Sequence, residues 1–177
     1  MPLFAEGRCP GSKAAFFNQT NSFASTPKIN LTDQSFTIAC WLKQTISVPN
    51  MLAAIYNDWY SPSRQFLLSI VDQTITFYRR QYGELWFSLQ SSSIRSDTWT
   101  HVAVTWDHVK RAVYIYADGR EIGYRTYGAD VVFYGPTGKL YQIGKDFYGS
   151  IMDLYVFGTA LTLDQISKLR GELWFFN

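Results

Sequence analysis

The 177-residue chain carries 16 basic and 14 acidic residues, a formal net charge of +2 with no basic stripe, so a nucleic-acid partner is not expected. No stretch approaches the roughly 18 consecutive apolar residues of a spanning helix, so direct membrane insertion is not expected either, and residues 1–20 lack a secretory-leader pattern, so that if the protein is secreted its signal is expected to have been removed or to lie outside this sequence. Aromatic residues make up 18% of the chain, more than a core alone needs, which predicts rings left on a surface.

In chain order, residues 1–12 read as an extended arm or loop around Cys9-Pro10-Gly11. Ala14–Phe17 and Ser22–Ser25 read as two short edge strands around a turn at Asn18–Asn21. Ser35–Lys43 alternates cleanly, placing Phe36, Ile38 and Cys40 on one inward face. Met51–Tyr56 is a further strand running into a polar, aromatic loop, Asn57 to Arg64. Residues 65–80 form a hairpin whose two-residue turn, Asp72-Gln73, sets Ile70 opposite Ile75 and Leu68 opposite Phe77, with Ser69–Thr76, Leu67–Tyr78 and Gln65–Arg80 on the other face. Leu85–Leu89 and Trp99–Trp106 continue the alternation. The run Arg111–Ala117 ends on Asp118-Gly119, a strong hairpin signal because both residues tolerate positive φ. A direct register from that turn pairs Ala117 with Arg120, Ile115 with Ile122 and Val113 with Tyr124 toward the core. Tyr114 then lies opposite Gly123 and Tyr116 opposite Glu121 on the reverse face, with Arg125 beyond. Leu140–Ile143 and Gly149–Phe157 are strands. Thr162-Leu163-Asp164-Gln165 is a capping box opening the one helix, Gly171 stops it, and Leu173–Phe176 reads as a last strand.

A dozen or so short strands with frequent turns and one short C-terminal helix predict an all-β fold: a two-sheet antiparallel sandwich of the jelly-roll kind, one domain over residues 1–177. Two cysteines, Cys9 and Cys40, allow one bridge, which would close a loop of about 30 residues and contribute roughly 3–4 kcal/mol in the chain-entropy model. The sequons at Asn18 and Asn30 are candidate glycosylation sites and, with the cysteines, fit an extracellular setting. The alternative is two free thiols and two unused sequons.

The order and spacing of Ala14-Ala15-Phe16-Phe17-Asn18, Ser35–Trp41, Trp99–Val104, Tyr116–Arg120, Ile143-Gly144 and Gly149–Phe157 before Ala160-Leu161-Thr162 resemble the laminin G-like and pentraxin branch of the concanavalin A-like lectin fold. The resemblance implies an extracellular recognition module, part of a larger extracellular protein, whose partner is a glycan, a glycosaminoglycan or a cell-surface or extracellular protein. Some such domains use calcium. It supplies no transferable ligand motif.

Calcium takes six to eight oxygens, and the acids here are isolated; Asp58, Asp107, Asp130 and Asp146 sit in predicted loops and leave calcium open. Asp153, matching the usual Asp of the family's Gly-x-Ile-x-Asp strand, reads as structural. His101 and His108 have no metal-ligand spacing, and His101 reads as a packed strand residue. No strand carries the alternating carboxylates that hydrolysis on this fold would use, so a non-catalytic domain is expected. Sugar rings present C–H faces that stack on Tyr and Trp, while flanking polar groups bond the hydroxyls. Three aromatic clusters are candidates: Tyr114 and Tyr116 with Glu121 and Arg125; Trp59 and Tyr60 with Asn57, Asp58 and Arg64; and Tyr78, Tyr82 and Trp86. The plainer reading of each is cross-strand packing or cover by a loop.

Overall fold

The computed structural model describes residues 3–18, 22–27, 29–45, 53–57, 66–81, 86–129, 131–133 and 140–171. Two antiparallel sheets pack face to face. Sheet A runs β1 (Leu3–Glu6), β2 (Lys13–Phe17), β13 (Gly149–Phe157), β4 (Phe36–Gln44), β9 (Thr100–Asp107), β10 (Ala112–Ala117), β11 (Arg120–Thr126). Sheet B runs β3 (Ala24–Pro27), β12 (Leu140–Ile143), β5 (Ala53–Asn57), β6 (Phe66–Val71), β7 (Thr74–Arg80), β8 (Trp86–Ser93). The jelly-roll-like sandwich expected from the alternation is the fold observed, with one short helix, α1 (Leu163–Gly171), after the last strand.

The inward positions of each strand are apolar because the two sheets face each other over one core. Trp106 is fully buried at its centre, stacked on Tyr127 at 4.5 Å and on Phe36 at 6.1 Å, with Phe133 edge-on at 4.6 Å. Arg79 also points into this cluster. Its guanidinium lies 4.4 Å from the Trp106 ring and donates to the Leu31 carbonyl at 3.1 Å, and burial lowers its pKa to about 10. The buried cation therefore has the rings and one carbonyl in place of water.

The β6–β7 hairpin has the expected register: Ile70 pairs with Ile75, Leu68 with Phe77, Ser69 with Thr76 and Leu67 with Tyr78. Asp72 and Gln73 both take positive φ, 47° and 65°, which is what a two-residue turn needs to follow the strand twist. Gln65 lies outside the described residues, as does the predicted strand Leu173–Phe176.

Three expectations are corrected. The N-terminal arm is partly strand, since Leu3–Glu6 pairs along β2. The next two strands do not sit together: β2 joins β13 in sheet A, whereas β3 forms the edge of sheet B, where Pro27 is tolerated because no neighbour needs its missing N–H. Cys9 and Cys40 remain free thiols. Cys40 faces the inter-sheet core, as its alternation predicts, and burial pushes its pKa up to about 12. The loop that carries Cys9 lies against the opposite face of β4, where the neighbouring Arg8 guanidinium sits 4.0 Å over Trp41, so the strand itself separates the two sulfurs.

Candidate functional site

The outer face of sheet A is built around α1. Ala39 on β4 and Ala103 on β9 are direct cross-strand partners, and their small side chains leave a shallow floor into which Ile166 of the helix fits with no exposed surface. Thr37 fixes the approach to that helix: its hydroxyl donates to Thr159 O at 2.9 Å and accepts from Leu161 N at 2.9 Å. The predicted capping box is formed, with Thr162 N donating to Gln165 Oε1 at 2.8 Å and Gln165 N to Thr162 Oγ1 at 3.3 Å. At the other end, an Arg170 guanidinium N–H donates to Asp118 O at 2.6 Å and ties the helix to the β10–β11 turn.

Beside the helix lies a row of three tyrosines. Tyr114 stands between Tyr116, at 6.0 Å and nearly parallel, and Tyr124, at 5.0 Å. Their exposure falls along the row: Tyr124 is 52% exposed, Tyr114 half-buried and Tyr116 only 6% exposed, packed with Ile166. Burial, then Glu121 opposite, pushes the Tyr116 phenol up to about 12. The structure thus brings Tyr114, Tyr116 and Glu121 together, but places Tyr116 beneath the helix.

The register of β10 with β11 differs from the direct count. Ala117–Arg120 and Tyr116–Glu121 pair as expected, after which a β-bulge at Ile122 moves every later partner by one, giving Ile115–Gly123, Tyr114–Tyr124 and Val113–Arg125. The shift coincides with a close approach to the other sheet. Gly123 packs closely on sheet B: a Cβ there would lie 3.2 Å from the Gln90 carbonyl of β8, tighter than ordinary contact, so a glycine lets the strand approach without a shift of its neighbour. The shift turns Tyr124 to the tyrosine row and Arg125 away from it; Arg125 instead reaches sheet B, donating to Ser88 O and lying 4.9 Å over Phe87. Sequence reasoning missed Tyr124, although a glycine inside a strand was the signal for the bulge.

Of the loop cluster, Asn57 ends β5 fully buried and donates to Gln142 O at 3.3 Å; Asp58, Trp59, Tyr60 and Arg64 lie outside the described residues. In the third cluster Tyr78 is half-buried on β7, and Tyr82 lies outside the described residues. Among the described residues no three of His, Cys, Asp and Glu converge as a cation site. Asp107 accepts from Lys110 N and pairs with Lys110 Nζ at 3.4 Å, Asp146 lies 3.6 Å from Lys145 Nζ, and Asp58 and Asp130 lie outside the described residues. His101 packs edge-on against Trp41 at 5.3 Å, and burial lowers its pKa to about 4. Asp153 sits in the β13 bulge at φ 51°, its carboxyl raised by burial and partly offset by Arg8.

Residues 18–167 of this chain, which folds as two antiparallel sheets with a short helix on the outer face of one, are matched by a family model described as the concanavalin A-like lectin/glucanases superfamily. The chain belongs to that superfamily. No curated protein matches this concanavalin A-like chain at significant similarity. Among solved structures, the binding domain of Paraclostridial Mosquitocidal Protein 1 is similar with a TM-score of 0.81 at 16% identity, over 99% of this chain and 47% of that one. The chain thus spans about half the length of that binding domain. Domain 4 of the extracellular arabinanase AbnA from Geobacillus stearothermophilus, in complex with arabinotriose, gives 0.68 at 21% identity, over 96% and 81%. The CBM40 of the Ruminococcus gnavus IT-sialidase, bound to α2,3-sialyllactose, gives 0.64 at 19%, over 77% and 83%. These likenesses share the fold. At such identities they carry no residue across.

Proposed function

We propose that this concanavalin A-like domain is a non-catalytic, extracellular glycan-binding module, a single domain working as part of a larger extracellular protein. The observation that carries the reading is the tyrosine row on the outer face of sheet A. Tyr124 and Tyr114 present two rings 5.0 Å apart to solvent, with Glu121 exposed beside them to accept hydroxyl protons. Binding of arabinotriose and sialyllactose by two neighbours of the same fold supports a carbohydrate ligand, and their roles as a domain of an extracellular enzyme and a carbohydrate-binding module support a binding role. Exposed Asn18 and Asn30 fit an export route.

A glycan array probed with the domain tests this. Saturable binding is expected, weakened at least about tenfold in Tyr114→Ala and Tyr124→Ala, since stacking on one ring contributes roughly 0.5–1.5 kcal/mol beyond the apolar area it covers. Binding unchanged in both variants would move the site off this face. A blank array, together with capture of a defined cell-surface protein lost in the same variants, would instead make the row a protein-binding surface.

A further inference from the structure

At one rim of the sandwich the ends of β8, β9 and the β10–β11 turn part around a cleft of about 230 Å³. Ile122, the extra residue of β11, and the small Ala117 line it together with buried Ile94, giving it an apolar side. Ser93, Thr98 and the buried Thr100 also line it; the Thr98 and Thr100 hydroxyls donate to the Ser96 and Thr98 carbonyls, at 3.3 and 3.4 Å, and keep their oxygens as acceptors.

Charge at the cleft is unevenly committed. Asp118 accepts from His101 N with one carboxylate oxygen, at 3.0 Å, and its other oxygen has no partner among the described residues. Arg95 is exposed, and among the described residues it makes no hydrogen bond or ion pair; the nearest carboxylate along the chain, Asp97, is held by Lys43 at 3.2 Å. The cleft therefore offers an apolar side for C–H groups, hydroxyls and one carboxylate oxygen for a polyol, and a guanidinium free for an anion. Its volume is below the roughly 300 Å³ at which pockets for drug-sized ligands begin, which suits one sugar ring and not an oligosaccharide.

We propose that this rim cleft binds a single acidic monosaccharide unit of the hexuronate type. Its ring lies over Ile122 and Ala117, its hydroxyls meet Thr98 and Asp118, and its carboxylate pairs with Arg95. The site is separate from the tyrosine row, because Ala117 and Tyr116 are on opposite faces of β10.

Titration of the protein with glucuronate, followed through backbone amide resonances, tests the assignment, with glucose and inorganic sulfate as controls. Saturable shifts are expected at Thr98, Ala117 and Ile122. Affinity should fall at least about tenfold for glucose and for Arg95→Gln, an exposed substitution, because one charge-assisted pair is lost. Sulfate at equal concentration should leave these resonances in place. The proposal is overturned if Arg95→Gln binds glucuronate as well as the parent, if sulfate reproduces the shifts, or if the shifts map to Tyr114 and Tyr124. In that last case the glycan-binding reading stands and only the cleft fails.

Discussion

At the scale of single residues, backbone conformation and close packing set the least tolerant positions. Gly144 takes φ 73°, and a Cβ there would fall 2.4 Å from the Phe17 ring, itself fully buried and locked edge-on against Phe147. Gly11 has almost the same φ, 79°, but nothing within 4 Å. Gly11→Ala is expected to cost about 1–2 kcal/mol, the left-handed penalty alone, and Gly144→Ala about 1–3 kcal/mol more for the forced shift of Phe17. Urea denaturation of the two variants separates the terms; equal losses would mean that the ring moves at no cost. Residue types also explain what could be read beforehand. Asp72-Gln73 and Asp118-Gly119 declare their turns locally, so every pair next to them is correct. The first departure comes at Ile122, beside Gly123, which packs close to the Gln90 carbonyl of another sheet; a glycine in a strand marks such a bulge locally, but the partner it approaches is not local. Tyr124 and Arg125 exchange faces as a result, so one of the four platform residues, Arg125, leaves the row and Tyr124 enters it; the burial of Tyr116 has a separate cause, the helix above it.

Among the elements, α1 decides how much of the tyrosine row meets solvent. Its own apolar contribution is small, one fully buried side chain, Ile166, with Leu169 partly covered, and Leu161 just before the helix adds to the same cluster. The capping box makes its start legible in the sequence, whereas its docking place depends on Ala39 and Ala103 being brought side by side by strands some sixty residues apart in the chain. Ile166→Ala is expected to destabilise the fold by about 2–4 kcal/mol and to loosen the helix over Tyr116. Faster amide exchange throughout Leu163–Gly171, with β4 and β9 unchanged, would be the sign of it; uniform acceleration of the whole protein would show that the helix and the sandwich open together.

For the whole molecule, stability comes from one continuous core between the sheets without a covalent cross-link. Cys40 lies on the core side of β4 and its thiol is held protonated by burial, so reductant should leave the thermal midpoint unchanged, where loss of a structural bridge would cost roughly 2–5 kcal/mol. A calorimetric scan with and without dithiothreitol decides this, and a fall of several degrees would restore the Cys9–Cys40 bridge. The sheet partners of the N-terminal hairpin bear on the same architecture. Among the described residues β1 pairs in the sheet with β2 alone, through four residue pairs, and β2 meets β13 through three, while β4 and β9 are zipped through seven. A pull delivered through the N-terminal arm would therefore load the four-pair β1–β2 ladder first and the three-pair β2–β13 ladder next, before the seven-pair ladders of β4. The hairpin would peel away at low force as a mechanical fuse, leaving the tyrosine row and the rim cleft intact behind it.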